Sequence, residues 1–120
     1  MAHVSRAAHT SATRHAIAGQ ISGALLLRAS TYAISGDLPA AVTEVGTLLD
    51  RLKAHGPAWH LPRTLGLRGR LHFGLRDPQT AYDNLSEALR LAAEWPADAI
   101  DTARLHGDLA EACMHLGRTD

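Results

Sequence analysis

The sequence predicts an all-α fold of about five helices, each antiparallel to the next. Three observations predict it. Apolar residues recur at helical spacing along most of the 120 residues, and no stretch alternates like a strand. The hydrophobic content of 46% is mostly Ala and Leu, with too little Val, Ile and Thr for a sheet protein. Gly, Pro and Asp cut the chain into helix-length pieces with short connections, which make sequential helices antiparallel neighbours.

Residues 1–9 are expected to be a flexible N-terminus, and residues 10–120 a single domain of modest core. Thr10 or Ser11 could cap a first helix reaching about Ser35. Its apolar face reads Ile17, Ile21, Leu25, Ala29 and Tyr32. Gly36 ends it, and Asp37 offers the next cap, with Pro39 in the first turn. The second helix runs from Pro39 to about His55, with Val42, Val45, Leu48, Leu49 and Leu52 facing inward. "HGPAWHLP" is a break, because Gly56, Pro57 and Pro62 forbid one regular helix across it. A third helix starts at Pro62 or Arg63 and ends near Leu75. The fourth opens at Asp77 and ends near Glu94, where Pro96 stops it. The fifth runs from about Ala97 to Leu116, with Gly117 as its end signal.

A shift of forty residues lays one half of the chain over the other. Asp37 meets Asp77, Ala41 meets Ala81, Val45 meets Leu85, Leu48 meets Ala88 and Leu49 meets Leu89. In the preceding helices Ala29 meets Gly69, Tyr32 meets His72 and Gly36 meets Arg76. A third copy begins at "LHGDLAEACMHLGRTD", with Ala110 at the place of Gly69, Cys113 at that of His72 and Gly117 at that of Gly36. A small residue in one helix lets its partner approach, and large residues on either side fill the gap. The rival reading is a five-helix bundle whose halves match by accident.

This pattern resembles the tetratricopeptide repeat, a helix-turn-helix unit. Gly69, Ala81 and Ala88 match its small-residue signature, and Tyr32 and Gly36 match in the first unit. "LAEACMHLGR" looks like the first helix of a third unit. The period of about forty is similar to the divergent repeats of bacterial ATP-dependent transcriptional activators. The resemblance covers roughly residues 20–120. It implies a short right-handed superhelix and a non-catalytic interaction module in a regulatory or scaffolding role.

Composition bounds the function further. Net charge is zero, so nucleic-acid binding by the whole molecule is not expected. No apolar run approaches membrane-spanning length, and the first residues hold no signal-peptide core. A lone Cys113 fits a reducing compartment, so a cytoplasmic location is expected. Arg outnumbers Lys eleven to one, which fits a bacterial proteome of that bias.

No motif argues for catalysis. His55 and His60, or His3, His9 and His15, are not spaced to put two imidazoles on one helical face. Cys113 falls in a small-residue seam, where a thiol acts as a hydrophobe. "GLRGRLHFG" has glycines but sits in a helical pattern rather than after a strand. No catalytic residue, metal or cofactor is therefore assigned.

Charge is more informative. Residues 51–76 hold Arg51, Lys53, Arg63, Arg68, Arg70 and Arg76 with no acid, and residues 77–120 hold nine acids against three arginines. One reading is internal pairing, with Asp83 and Glu87 of the fourth helix beside the third. The other comes from the resemblance. The first helix of each tetratricopeptide unit lines a concave groove, which here would present Leu26, Ser30, Arg63, Arg70, Phe73, Arg104, Glu111 and Met114. Three arginines in one trough resemble the basic clamp that some of these proteins use for acidic peptide ends, since a planar guanidinium holds a carboxylate with two hydrogen bonds. The expected partner is a peptide or protein with acidic character. The alternative is a small helical enzyme or small-molecule binder using an Arg- and His-lined trough. Apolar residues outside the main stripes, Leu26, Leu27 and Ile34 on the first helix and Ile100, Ala103, Ala110 and Met114 on the fifth, predict a homodimer or membership of a larger chain.

Overall fold

The computed structural model describes residues 2–95 and 102–117. The chain folds as five α-helices and one 3₁₀ turn: α1 (Ala2–Ile34), α2 (Leu38–His55), η1 (Ala58–His60), α3 (Leu61–Gly74), α4 (Pro78–Ala92) and α5 (Thr102–Leu116). Among the described residues there is no strand. α1 begins at Ala2, earlier than the cap expected at Thr10 or Ser11. The expected start of the last helix at Ala97 lies outside the described residues.

Two helix starts follow the sequence signals closely. Asp37 caps α2, its Oδ1 accepting from the Ala40 N–H at 3.2 Å. Asp77 caps α4, its Oδ1 accepting from the Thr80 N–H at 3.2 Å. Pro39 and Pro78 occupy the first turn in each case, where no N–H is needed. The break after α2 is turned by Gly56 at φ 70° and a cis Gly56–Pro57 bond.

The helix ends repeat at the same shift as the sequence. Gly36 N–H donates to Ala33 O and Asp37 N–H to Tyr32 O; Arg76 N–H donates to Phe73 O and Asp77 N–H to His72 O. The αL residue is Gly36 (φ 87°) in the first turn and Arg76 (φ 63°) in the second. After α5, Gly117 (φ 71°) takes the equivalent place and donates to Met114 O. Helix C-termini favour such a residue because it closes the last carbonyls.

Each helix packs on the next, and α3 also touches α5. Ala41, Val45, Leu48, Leu49 and Leu52 of α2 are buried, as are Ala81, Leu85, Ala88 and Ala92 of α4. Leu65, Leu67 and Leu71 of α3, with Leu105 and Ala112 of α5, complete one core. Two small residues let the helices close. A Cβ on Gly69 would lie 2.7 Å from Leu85 Cγ and 3.3 Å from the Ala81 carbonyl oxygen. A Cβ on Gly66 would lie 2.6 Å from Leu105 Cδ2, so this glycine admits α5 against α3.

Three packing expectations need correction. The buried side of α1 is set by Ser22 and Ala29, while Ile17 and Ile21 are 49% and 37% exposed. Small residues seven apart bring α2 in between them, and the isoleucines are left at the flank. Ala110 is exposed, so it does not play the part of Gly69; Ala112 and Cys113 are the buried small residues of α5. The internal pairing of the basic segment takes other acids than expected: Glu87 pairs with Arg90 and Asp83 accepts from Gln79, both within α4, while Arg70 of α3 pairs with Asp108 of α5.

The molecule is long, 62 × 29 × 20 Å, with a radius of gyration of 16.4 Å. A compact chain of this length would have about 14 Å. α1 accounts for much of the excess. Its 33 residues span about 50 Å, against about 27 Å for the 18 residues of α2.

Candidate binding trough

α3 and α5 meet at matched heights, which places several of their charged side chains on one face. Gly66 faces Leu105 and, one turn on, Arg70 Nη1 donates to Asp108 Oδ2 at 3.3 Å. Both partners are largely covered, with side chains 28% and 23% exposed. Burial and then the neighbouring Arg104 lower the pKa of Arg70, and the bond to Asp108 opposes them. The guanidinium stays charged at any pH a protein tolerates. Asp108 is shared between these cations, and Glu111 lies further along the same face.

Two hollows lie along the face. The first, about 350 Å³, is lined by Leu26 and Ser30 of α1, Arg63, Leu67 and Arg70 of α3, and Arg104 and Leu105 of α5. It brings together five of the residues expected on the groove. The second, about 190 Å³, is lined by Arg70, Phe73, Leu85, Asp108 and Glu111. It holds Phe73 and Glu111, and Arg70 borders both hollows. Phe73 is half-buried and stands in a T-shaped contact with His115, with centroids 4.8 Å apart. Met114 lines neither hollow and is 75% exposed.

Leu67, Leu105 and Asp108 are members of the site that the sequence reading passed over. Asp108 is four residues after Arg104, and such a pair on a helix reads as a solvated surface feature. Only the approach of α5 to Gly66 turns it toward Arg70.

The remaining polar groups bear on stability more than on ligand. His60 is 8% exposed, stacks on Trp59 at 3.8 Å, and is held below the ordinary imidazole pKa by burial and by Arg63. His72 is lowered by burial and Arg68, against the pull of Asp77 at 3.8 Å. Among the described residues, no histidine lines either of these two hollows. Among the described residues, no three His, Cys, Asp or Glu side chains are placed to hold a metal ion, and no helix is long and apolar enough to cross a membrane. Comparison with protein-family models, with curated proteins and with solved structures gives no match to this chain.

Proposed function

We propose that the chain is a non-catalytic, tetratricopeptide-like interaction module whose concave trough binds an acidic peptide segment of a partner protein. In this reading its units wind into a right-handed superhelix and serve a regulatory or scaffolding role in the cytoplasm. The supporting observation is the convergence of Arg63, Arg70 and Arg104 with Leu26, Leu67 and Leu105 on one hollow. Guanidinium groups hold carboxylates, and the leucines offer an apolar floor for the neighbouring side chain. Three guanidinium groups beside an apolar floor suit an acidic segment that carries an apolar side chain, and this favours peptide binding over a small-molecule or catalytic site.

The test is binding of fluorescent acidic peptides with interspersed Leu, followed by anisotropy. Arg63→Ala with Arg104→Ala should abolish binding while the helical circular dichroism stays unchanged. Unaltered binding would move the site off the concave face. The same reading includes a homodimer formed through exposed apolar residues of α5 or α1.

A further inference from the structure

The two hollows differ in charge, and the difference is built into the fold. The first is lined by three arginines and by no carboxylate among the described residues. The second is lined by Asp108, Glu111, Arg70 and the ring of Phe73. Arg70 and Asp108 bond to each other across the boundary between them. With that pair set aside, the first hollow still has Arg63 on its lining, and the second has Glu111 beside the Phe73 ring. The concave face is therefore polar along its length, positive over the first halves of α3 and α5 and negative over the second.

We propose that the trough selects a peptide segment carrying one acidic and one basic side chain at a fixed separation, the acid seated by Arg63 and the base by Glu111 and Phe73. This rests on the peptide-binding reading and adds the charge pattern of the ligand. A cation over an aromatic ring beside a carboxylate is held by two attractions at once. Gly66 faces Leu105, so Arg63 stands about level with Thr102, and Glu111 lies nine residues further along α5, about 14 Å on its axis. An extended peptide rises about 3.4 Å per residue, so its two charges stand about four residues apart. A ligand with acids at both places meets Glu111 as a like charge, which lowers affinity, and a ligand with one acid and one base is held in a single direction.

The experiment uses the full chain at pH 8, where imidazoles are neutral, and low salt. Four labelled peptides share one Leu- and Ala-containing frame. One carries Glu and Arg four residues apart, one the same residues in reverse order, one Glu with Gln, and one Glu with Glu. Anisotropy titration should rank one order of the Glu–Arg pair first. The Glu–Gln peptide should bind roughly tenfold more weakly, the scale of one charge-assisted contact. The Glu–Glu peptide should be weaker again. Glu111→Arg should invert the ranking and make Glu–Glu the best ligand, with Arg63→Ala weakening all four. Equal binding of the Glu–Arg, Glu–Gln and Glu–Glu peptides, lost in Arg63→Ala, would overturn this proposal and keep the trough as a plain acidic-peptide site. No binding of any peptide would overturn the peptide-binding reading itself. Glu111 is exposed, and a melting temperature unchanged in Glu111→Arg separates a lost contact from a lost fold.

Discussion

The repeat is most visible in how volume is divided across a seam. In the first unit Ala29 of α1 is fully buried, and the residue placed against it by the shift is Val45. In the second unit Gly69 stands in place of Ala29, and Leu85 in place of Val45. One seam puts a methyl on the first helix and a short side chain on the second; the other drops the methyl and lengthens the side chain. The sum is conserved, as close packing demands. Gly69→Ala should therefore overpack the second seam by about 1–3 kcal/mol, against about 1 kcal/mol gained in helix propensity. In a Leu85→Val background the same change should be better tolerated, by about 1 kcal/mol or more, because the pair then matches the first unit. Urea unfolding of the two single variants and the double variant measures this coupling. Additive effects would mean that the two residues do not share a seam. At this scale much was legible in advance. Asp37, Asp77, Ala81 and Ala88 carry local signals, a cap or a small residue at a fixed place. Gly66 carried none, because its reason is Leu105, thirty-nine residues away. Ser22 carried none either: a hydroxyl is ordinarily a surface group, yet here it is 1% exposed and its oxygen has no hydrogen-bond partner.

Among the elements, α3 carries the pH sensitivity. His60 leads into its N-terminus and His72 lies in its last turn, and both have lowered pKa values in the folded chain. The unfolded chain then binds more protons than the folded one wherever pH lies between the lowered values and about 6.5. Stability from these groups is complete above about pH 6.5 and is lost as pH falls from there through the folded values. The urea midpoint should fall between pH 7.5 and pH 5.5. Most carboxylate effects enter lower, since Asp77 and Glu87 also have lowered pKa values and titrate below the ordinary carboxylate range. His60→Phe keeps a ring to stack on Trp59, and His72→Tyr copies Tyr32 of the first unit. The double variant should show a smaller fall than the parent. A pH dependence as steep as the parent's would place its origin outside α3. Element order and type were readable from caps, prolines and apolar spacing, and most helix bounds came out within a few residues. The rotation of α1 was not readable, because Ile17 and Ile21 are as apolar as a core residue and only the approach of α2 to Ser22 and Ala29 decides which side is covered.

For the whole molecule, the question is what covers the apolar side chains left on its flanks. Leu27 and Ile34 of α1 are 69% and 88% exposed, and Met114 of α5 is 75% exposed. α5 makes the stronger case. Ala103, Gly107, Ala110 and Met114 are all exposed, at spacings of four, three and four residues. That is the spacing of the seam between two coiled helices, and a Cβ on Gly107 would meet nothing within 4 Å. A smooth stripe of this kind lets a second helix come close, with Met114 as its one large knob. Pairing of α5 with α5 across a two-fold axis would bury the stripe in both copies at once, and closed two-fold dimers are the commonest symmetric assembly. The stripe runs beside Glu111, at the rim of the trough, so a dimer of this form would set two troughs on either side of one axis. Light scattering should then give twice the 12.8 kDa chain mass at high concentration. Met114→Glu places a charge in the seam and should return the monomer mass, and Gly107→Leu should do the same by forcing the helices apart. Ile34→Glu should leave the dimer intact. Should Ile34→Glu dissociate it while Met114→Glu does not, the interface lies on α1; a single-chain mass for the parent at every concentration would rule the dimer out.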